Sequence, residues 1–359
     1  MIAHTTTPTA SNGAVSGTIV DSSGAPVEGA AVRMSGTQNR LTITDAAGNY
    51  HFDNVETNGF YTVVPTRANF IFSPAQRAFS QLGQHTDATF NATPTGNALN
   101  PLDGAEYFVR QQYLDFLGRE PDEAGFNFWV NNIESCGADA NCRPVKRVDT
   151  SAAFFLSIEF QQTGYLVYRT YQAAYGDPPG APVPVKLSEF KPDTSEIGNG
   201  VIVNQSGWET VLENNKQTFT AEFVQRPRFT AAYPATMTPD QFVDQLFTNA
   251  GVTPAAGERT AAINEFGAAP TSADAAARAR SLRRVAENSA LAQQEFNRAF
   301  VLMQYFGYLR RDVNTGPDAD FSGYNFWLNK LNTFGGNFRD AEMVKAFLVS
   351  GEYRGRFPR

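Results

Sequence analysis

One stretch of this chain is written twice. FVRQQYLDFLGREPDEAGFNFWVNNI (residues 108–133) returns as FVLMQYFGYLRRDVNTGPDADFSGYNFWLNKL (residues 300–331). Tyr113 matches Tyr305, Leu117 matches Leu309, Arg119 matches Arg311, Gly125 matches Gly323, and Phe128-Trp129 matches Phe326-Trp327. A recurring aromatic-rich unit buries its apolar face against neighbouring copies, so the repeat dictates a built architecture before it suggests any reaction. In AEYFVRQQYLDFLG the pairs Phe108/Val109, Gln112/Tyr113 and Phe116/Leu117 fall at helical spacing. Gly118 ends that helix, and Pro121-Asp122 opens the next, because proline suits a first turn and aspartate caps free N–H groups. The second helix carries Phe126, Trp129, Val130 and Ile133 on one face, and a third, SAAFFLSIEF, closes the unit at Glu159-Phe160. The late copy closes likewise in KAFLVSGEY, with Ser350 at the place of Ser157 and Glu352-Tyr353 at that of Glu159-Phe160.

Fainter copies lie between the two. AEFVQRPRF (residues 221–229) and AENSALAQQEF (residues 286–296) have the ending, and TPDQFVDQLFTNAGVTP (residues 238–254) has the opening. Thr238 to Gln241 is a capping-box spacing with Pro239 at the first helical position. The helical half therefore reads as repeat 1 (residues 105–176), divergent repeats (residues 208–296) and a last repeat (residues 297–359). A Pro/Gly-rich excursion with strand-like pieces (residues 177–207) separates the first two, and a loop of that length tends to lie on a surface and make contacts.

The first hundred residues follow a different period. Residues 1–13 are Thr/Ser/Pro/Ala-rich with nothing to bury and read as a flexible arm. VSGTIVD, AAVRMSG, RLTITD, NYHFDNV, YTVVPT and DATFNAT are short alternating strands, with SSGAPVEG, DAAGN and SPAQ as the turns between them. That density of strands predicts an all-β immunoglobulin-like sandwich. SGTIVDSSGAPVEGAAVRMSG followed by TDAAGNYHFDNV resembles the carboxypeptidase regulatory-like (transthyretin-like) β-sandwich over residues 14–92. In that family a D-x-x-G-x-Y-x-F stretch forms a hairpin, here Asp45, Gly48, Tyr50 and Phe52. The resemblance implies an accessory module of exported bacterial proteins with no chemistry of its own. TPTGNALNPLDG (residues 93–104) follows as a linker.

The helical copies resemble the family called domain of unknown function 4214. Its opening F-V-x-x-x-Y-x-x-x-L-x-R-x-P-D-x-x-G-x-x-F-W and its close S-x-E-F match the first copy almost throughout. The last copy departs by an insertion before the turn, which puts the cap geometry at Asp318 in question. Arg119, Asp122 and Gly125, with Arg311, Asp318 and Gly323, are the turn residues of the two full copies. The resemblance implies exported and surface-layer proteins without a catalytic role.

No constellation of side chains names a reaction. The acids Glu120, Asp122 and Glu123 and the group Asp312, Asp318 and Asp320 sit at helix starts, where they satisfy backbone donors and the helix dipole. A Ca2+ ion held by Asn314, Asp318 and Asp320 is a weak candidate, since the loop lacks the regular D-x-D-x-D-G spacing. Histidine stops at His85, and neither G-x-S-x-G, G-x-G-x-x-G nor a P-loop occurs. We therefore expect no catalytic, cofactor-binding or metal residues and no enzyme. Trp129 and Trp327 read first as core and second as sugar-stacking platforms, with exposure the deciding quantity. RSLRR (residues 280–284) reads as a solvated basic face.

The totals narrow the setting. A net charge of −7 gives no basic surface for nucleic acid, and no apolar run approaches the roughly 18 residues of a membrane span. The two cysteines stand in CGADANC, and without histidines nearby a Cys136–Cys142 disulfide is a better reading than zinc, with two buried thiols the alternative. A disulfide points to an oxidising compartment. MIAHTTTPTASNG carries neither the basic nor the apolar region of a signal peptide; either a signal was removed or the start is placed too late, and we favour the mature form of an exported protein. The expectation is an extracellular or cell-surface structural protein that forms a homo-oligomer or polymer, a filament or surface layer. The alternative is a glycan-binding or adhesive module for cell-surface polysaccharide.

Overall fold

The computed structural model describes residues 12–80, 82 and 85–357. Residues 1–11 of the Thr-rich arm lie outside them, while Asn12 and Gly13 already belong to the first strand. The chain divides into two compact units. One comprises Met1–Leu114, Arg119–Thr150 and Arg354–Arg359; the other comprises Asp115–Gly118 and Ser151–Tyr353.

The first unit opens with a two-sheet sandwich of β1 (Asn12–Asp21), β2 (Ala31–Gly36), β3 (Arg40–Ile43), β4 (Asn49–Glu56), β5 (Tyr61–Thr66), β6 (Phe70–Ser73), β7 (Arg77–Phe79), β8 (His85–Asp87) and β9 (Phe90–Pro94). One sheet runs β4-β1-β9-β6, with β8 also on β1, and the other runs β3-β2-β5-β7. β1 is antiparallel to β4 along one edge and parallel to β8 and then β9 along the other. Alternation does the sorting: in β4 Tyr50 and Phe52 point inward while His51 and Asp53 face out. Val15, Ile19, Val32, Met34, Phe52, Val63 and Phe90 fill the space between the sheets.

Two aspartates make the turns. Asp21 accepts from the N–H groups of Ser23 and Ala25, and Asp45 accepts from those of Ala47 and Asn49. Gly48 has φ +74°, and a Cβ there would stand 2.5 Å from the Ile19 carbonyl, so both conformation and space demand glycine. β6 and β7 went unread in the sequence because both are short end strands of three or four residues, although Phe70, Phe72 and Phe79 pack against the core.

The helices α1 (Ala105–Gln112) and α2 (Glu123–Glu134) belong to this same unit. The Asn127 carboxamide donates to the Leu41 carbonyl at 3.1 Å, on edge strand β3. Arg40, beside it, pairs with Glu123 at the start of α2. Arg110 is 2% exposed and pairs with Glu120 (Nε to Oε2, 2.8 Å) and Glu28 (3.5 Å). Gly29 (φ +68°) leaves room for the Tyr107 ring, which a Cβ would approach to 2.6 Å. The 93–104 linker is tied down as well: Asn69 and Leu99 exchange two hydrogen bonds, and the Asn100 side chain caps Leu102 in a 3-10 turn.

The remaining helices are α3 (Cys142–Leu156), α4 (Ile158–Gln162), α5 (Gly164–Tyr175), α6 (Leu187–Gly198), α7 (Trp208–Phe223), α8 (Pro227–Ala232), α9 (Pro239–Ala250), α10 (Ala256–Asn264), α11 (Ala275–Ala286), α12 (Ser289–Gln304), α13 (Ser322–Thr333), α14 (Met343–Val349) and α15 (Gly351–Gly355). In the second unit α5 is buried from Gly164 to Ala174, including Arg169, Thr170 and Gln172. Its tyrosines find partners: Tyr168 donates to Glu295 (2.7 Å) and Tyr171 to Asp193 (2.9 Å). Thr238 and Gln241 close the capping box of α9, with Pro239 at its first position. The 177–207 excursion departs from its expected strand-like pieces. It folds as α6, whose Phe190 and Ile197 are buried, because those apolar positions fall seven apart on one helical face. In the basic run of α11 Arg280 and Arg284 face solvent, 54% and 52% exposed, while Ser281 and Leu282 between them are buried and all three arginines are ion-paired.

π-helical turns occur at Tyr113–Leu117 and Tyr305–Leu309, the same place in each full copy. In the second unit the ring of Phe116 meets that of Tyr308 edge to face at 5.2 Å. It rests on Gly307, where a Cβ would lie 3.1 Å from it.

Gly17→Ala tests the sandwich: its Cβ would sit 2.3 Å from the Ala88 carbonyl, backbone that cannot swing away. We expect a loss of about 2 kcal/mol, measured by urea unfolding of the β signal. Phe116→Ala should cost about 3 kcal/mol in the helical transition.

Candidate functional site

The repeated turn is built the same way in both copies. In the first unit the Arg119 guanidinium lies 5.1 Å over the Tyr113 ring, and Asp122 caps α2 by accepting from Gly125 N–H at 2.8 Å. A Cβ on Gly125 would stand 2.2 Å from the Tyr113 hydroxyl. In the second unit Arg311 lies 5.2 Å over Tyr305, and a Cβ on Gly323 would stand 2.8 Å from the Tyr305 hydroxyl. The closing serines also agree: Ser157 accepts from Phe160 N–H and Ser350 from Tyr353 N–H, each at 3.1 Å. Pro121 lies just before the capping residue rather than inside the first turn.

The copies differ where the inserted residues fall. Arg119 and Gly125 are six residues apart, Arg311 and Gly323 twelve. At α13 the N-cap residue Phe321 makes no side-chain cap bond; Asp320 instead accepts from Ser322 N–H at the first helical position, and Asp318 turns to Arg311 at 2.7 Å. Arg311 also reaches Glu352 (2.6 Å) and the carbonyls of Asp312 and Thr315. Gly118 (φ +68°) and Arg310 (φ +56°) occupy the same left-handed position, which glycine takes freely and arginine at a cost. Arg310 is held there by Asp115 at 2.8 Å.

Beside this turn is a cleft of about 270 Å³ lined by Tyr305, Arg311, Asp318, Trp327, Phe347 and Glu352. Burial pushes the Tyr305 hydroxyl up to about 12, so it stays a donor across the physiological range. Trp327 packs on Phe347 (5.7 Å) and carries Lys330 Nζ at 5.4 Å from its ring centroid. Both predicted tryptophans, Trp129 and Trp327, are half-buried. The exposed aromatic in each copy is its neighbour: Phe128 is 62% and Phe326 57% exposed. Each phenyl stands edge-on to its tryptophan at 4.9 and 5.0 Å. Sequence reading singled out the larger ring; alternation around the helix, which turns Phe126 and Val130 inward, could have pointed to Phe128.

Elsewhere the predicted groups resolve simply. Cys136 and Cys142 form a disulfide. The oxygens proposed for Ca2+ are engaged, Asp318 by Arg311 and Asp320 by Ser322, and among the described residues no group of three or more His, Cys, Asp or Glu side chains is placed to hold a metal ion. No helix among the described residues is long and apolar enough to cross a membrane. A larger cleft of about 490 Å³ holds Arg280, Arg283 and Arg284. All three are paired, the first and last with Glu265 and Arg283 with Glu213 and Glu287.

Residues 14–93 match the family model of the carboxypeptidase regulatory-like domain. Residues 103–164 match that of the domain of unknown function DUF4214. The two follow one another in the order read from the sequence, and the second match ends where α5 begins. Comparison with curated proteins finds no match.

Arg283 grips Glu213 with two hydrogen bonds (2.7 and 2.6 Å), which holds that carboxyl well below its ordinary 4.5, at about 2. A carboxyl depressed by folding stabilises fully above its unfolded value, and the contribution is lost as pH falls through the folded one. The stability difference between the parent chain and Glu213→Gln should therefore be constant above about pH 5 and shrink toward pH 2, as followed by urea midpoints. Added salt should reduce it, since the pair is half-exposed.

Proposed function

We propose that this chain is a non-enzymatic structural protein of the extracellular space or cell surface that associates with copies of itself into a filament or layer. One observation carries the reading. The two full copies expose large apolar side chains at equivalent places, Phe128 and Phe326 on the second helix, Leu156 (47%) and Val349 (64%) just before the closing serine. An exposed apolar residue met once is ordinary; the same two positions exposed in both copies mark surfaces kept for contact. The disulfide suits an oxidising compartment, and the matched accessory sandwich suits export. Strands β4, β6 and β7 end their sheets, which leaves edges for strand addition by a neighbour. Contacts that do not close into a ring would propagate.

A second reading, a glycan-binding or adhesive surface module, is favoured by the cleft beside Trp327.

Negative-stain electron microscopy and sedimentation velocity across a wide concentration range test the assembly. We expect regular polymers or concentration-dependent oligomers from the parent chain. The double variant Phe128→Asp/Phe326→Asp should stay monomeric with an unchanged melting temperature, since burying one phenyl at a contact contributes about 2 kcal/mol. A parent chain that is monomeric throughout would sink the assembly.

A further inference from the structure

The insertion in the second full copy changes what its aspartate does. In the first copy Asp122 caps Gly125 N–H at 2.8 Å and stands only 3.5 Å from Arg119 with its other oxygen. In the second, the six extra residues before Gly323 release Asp318 from that task. Its carboxylate lines the cleft instead, across from Glu352, with Arg311 between them. The same insertion adds Pro317 to the wall. Trp327, half-buried, forms an aromatic side of the cleft, and Tyr305 and Phe347, 2% and 5% exposed, also line it. An aspartate freed from helix capping, a tryptophan face and a second carboxylate thus meet in one concavity.

We propose that this cleft binds one pyranose unit of a neutral, β-linked glycan with equatorial substituents. Trp327 would be the stacking surface, and Asp318 and Glu352 the acceptors for sugar hydroxyls. The proposal rests on the glycan-binding reading above and gives it a site and a ligand class.

Three physical points select this ligand. A ring with equatorial hydroxyls carries only axial C–H groups on its faces, and these rest on the electron-rich face of an indole. The volume, about 270 Å³, suits one sugar ring rather than a longer segment, so neighbouring units would extend outward past the exposed Phe326. The polar rim carries one guanidinium against two carboxylates, and Arg311 is already shared between them. Uronic acids and phosphates would meet net negative charge, whereas neutral hydroxyls donate to carboxylate oxygens.

The test is calorimetric titration of the full chain with cellohexaose and chitohexaose, with a polygalacturonate fragment as the acidic probe. Co-sedimentation with insoluble cellulose and chitin runs beside it. We expect saturable binding of at least one neutral hexaose and none of the acidic probe. Trp327→Leu should weaken it by about tenfold or more, while Trp129→Leu in the first copy leaves it unchanged. Asp318→Asn, nearly isosteric, should weaken it severalfold and keeps the test valid if the tryptophan variant fails to fold, as judged by thermal unfolding. Hexaose binding or co-sedimentation undiminished in both cleft variants overturns the cleft assignment and leaves the glycan reading standing. Absence of binding in every format overturns both. Tighter binding of polygalacturonate overturns the ligand class.

Discussion

Phe116 and Tyr308 hold the same position in two copies of one sequence, and they meet each other edge to face in the helical unit. Behind each stands its own copy's closing aromatic, Phe160 behind Phe116 and Tyr353 behind Tyr308. Equivalent residues touching one another is the pattern of a two-fold interface, here within a single chain. The contact depends on the π-turns, which place these rings, and on Gly307, where the first copy has Asp115. Asp115 in turn pairs with Arg310, the residue held in a left-handed conformation where the first copy has Gly118. The copies have therefore diverged in complementary ways, a glycine in one facing an aromatic in the other.

A different constraint governs the first unit. Strand β3 ends its sheet, and an unpaired edge invites association. Here α2 meets that edge, with the Asn127 carboxamide on the Leu41 carbonyl and Glu123 on Arg40. Buried Arg110, with Glu120 and Glu28 as counter-charges, fastens α1 to the turn before β2. The sandwich and the opening helices of the first copy are thus one compact body, although they match two different family models. In the last copy the insertion lines a cleft instead. One motif serves as a structural clasp in one place and as a concavity in the other.

Much of this was legible. The period-two alternation and the two Asx turns foretold the sandwich, and the Tyr–Arg–Gly spacing foretold both helical turns, down to the capping box at Thr238. The short strands β6 and β7 were not legible, because three or four residues are too few to display an alternation, although Phe70, Phe72 and Phe79 do pack on the core. Helix α6 was hidden by the prolines and glycines around it.

The sequence by itself determined the local devices: which residues turn, which cap, which face inward, and that one helical unit is used more than once. These follow from spacing, and spacing is local. The tertiary structure decided which carboxylates Arg311 gathers, and that Asp318 lines a cleft with Trp327. Those outcomes depend on side chains brought together from opposite ends of an insertion or from separate helices, and no linear pattern encodes that approach.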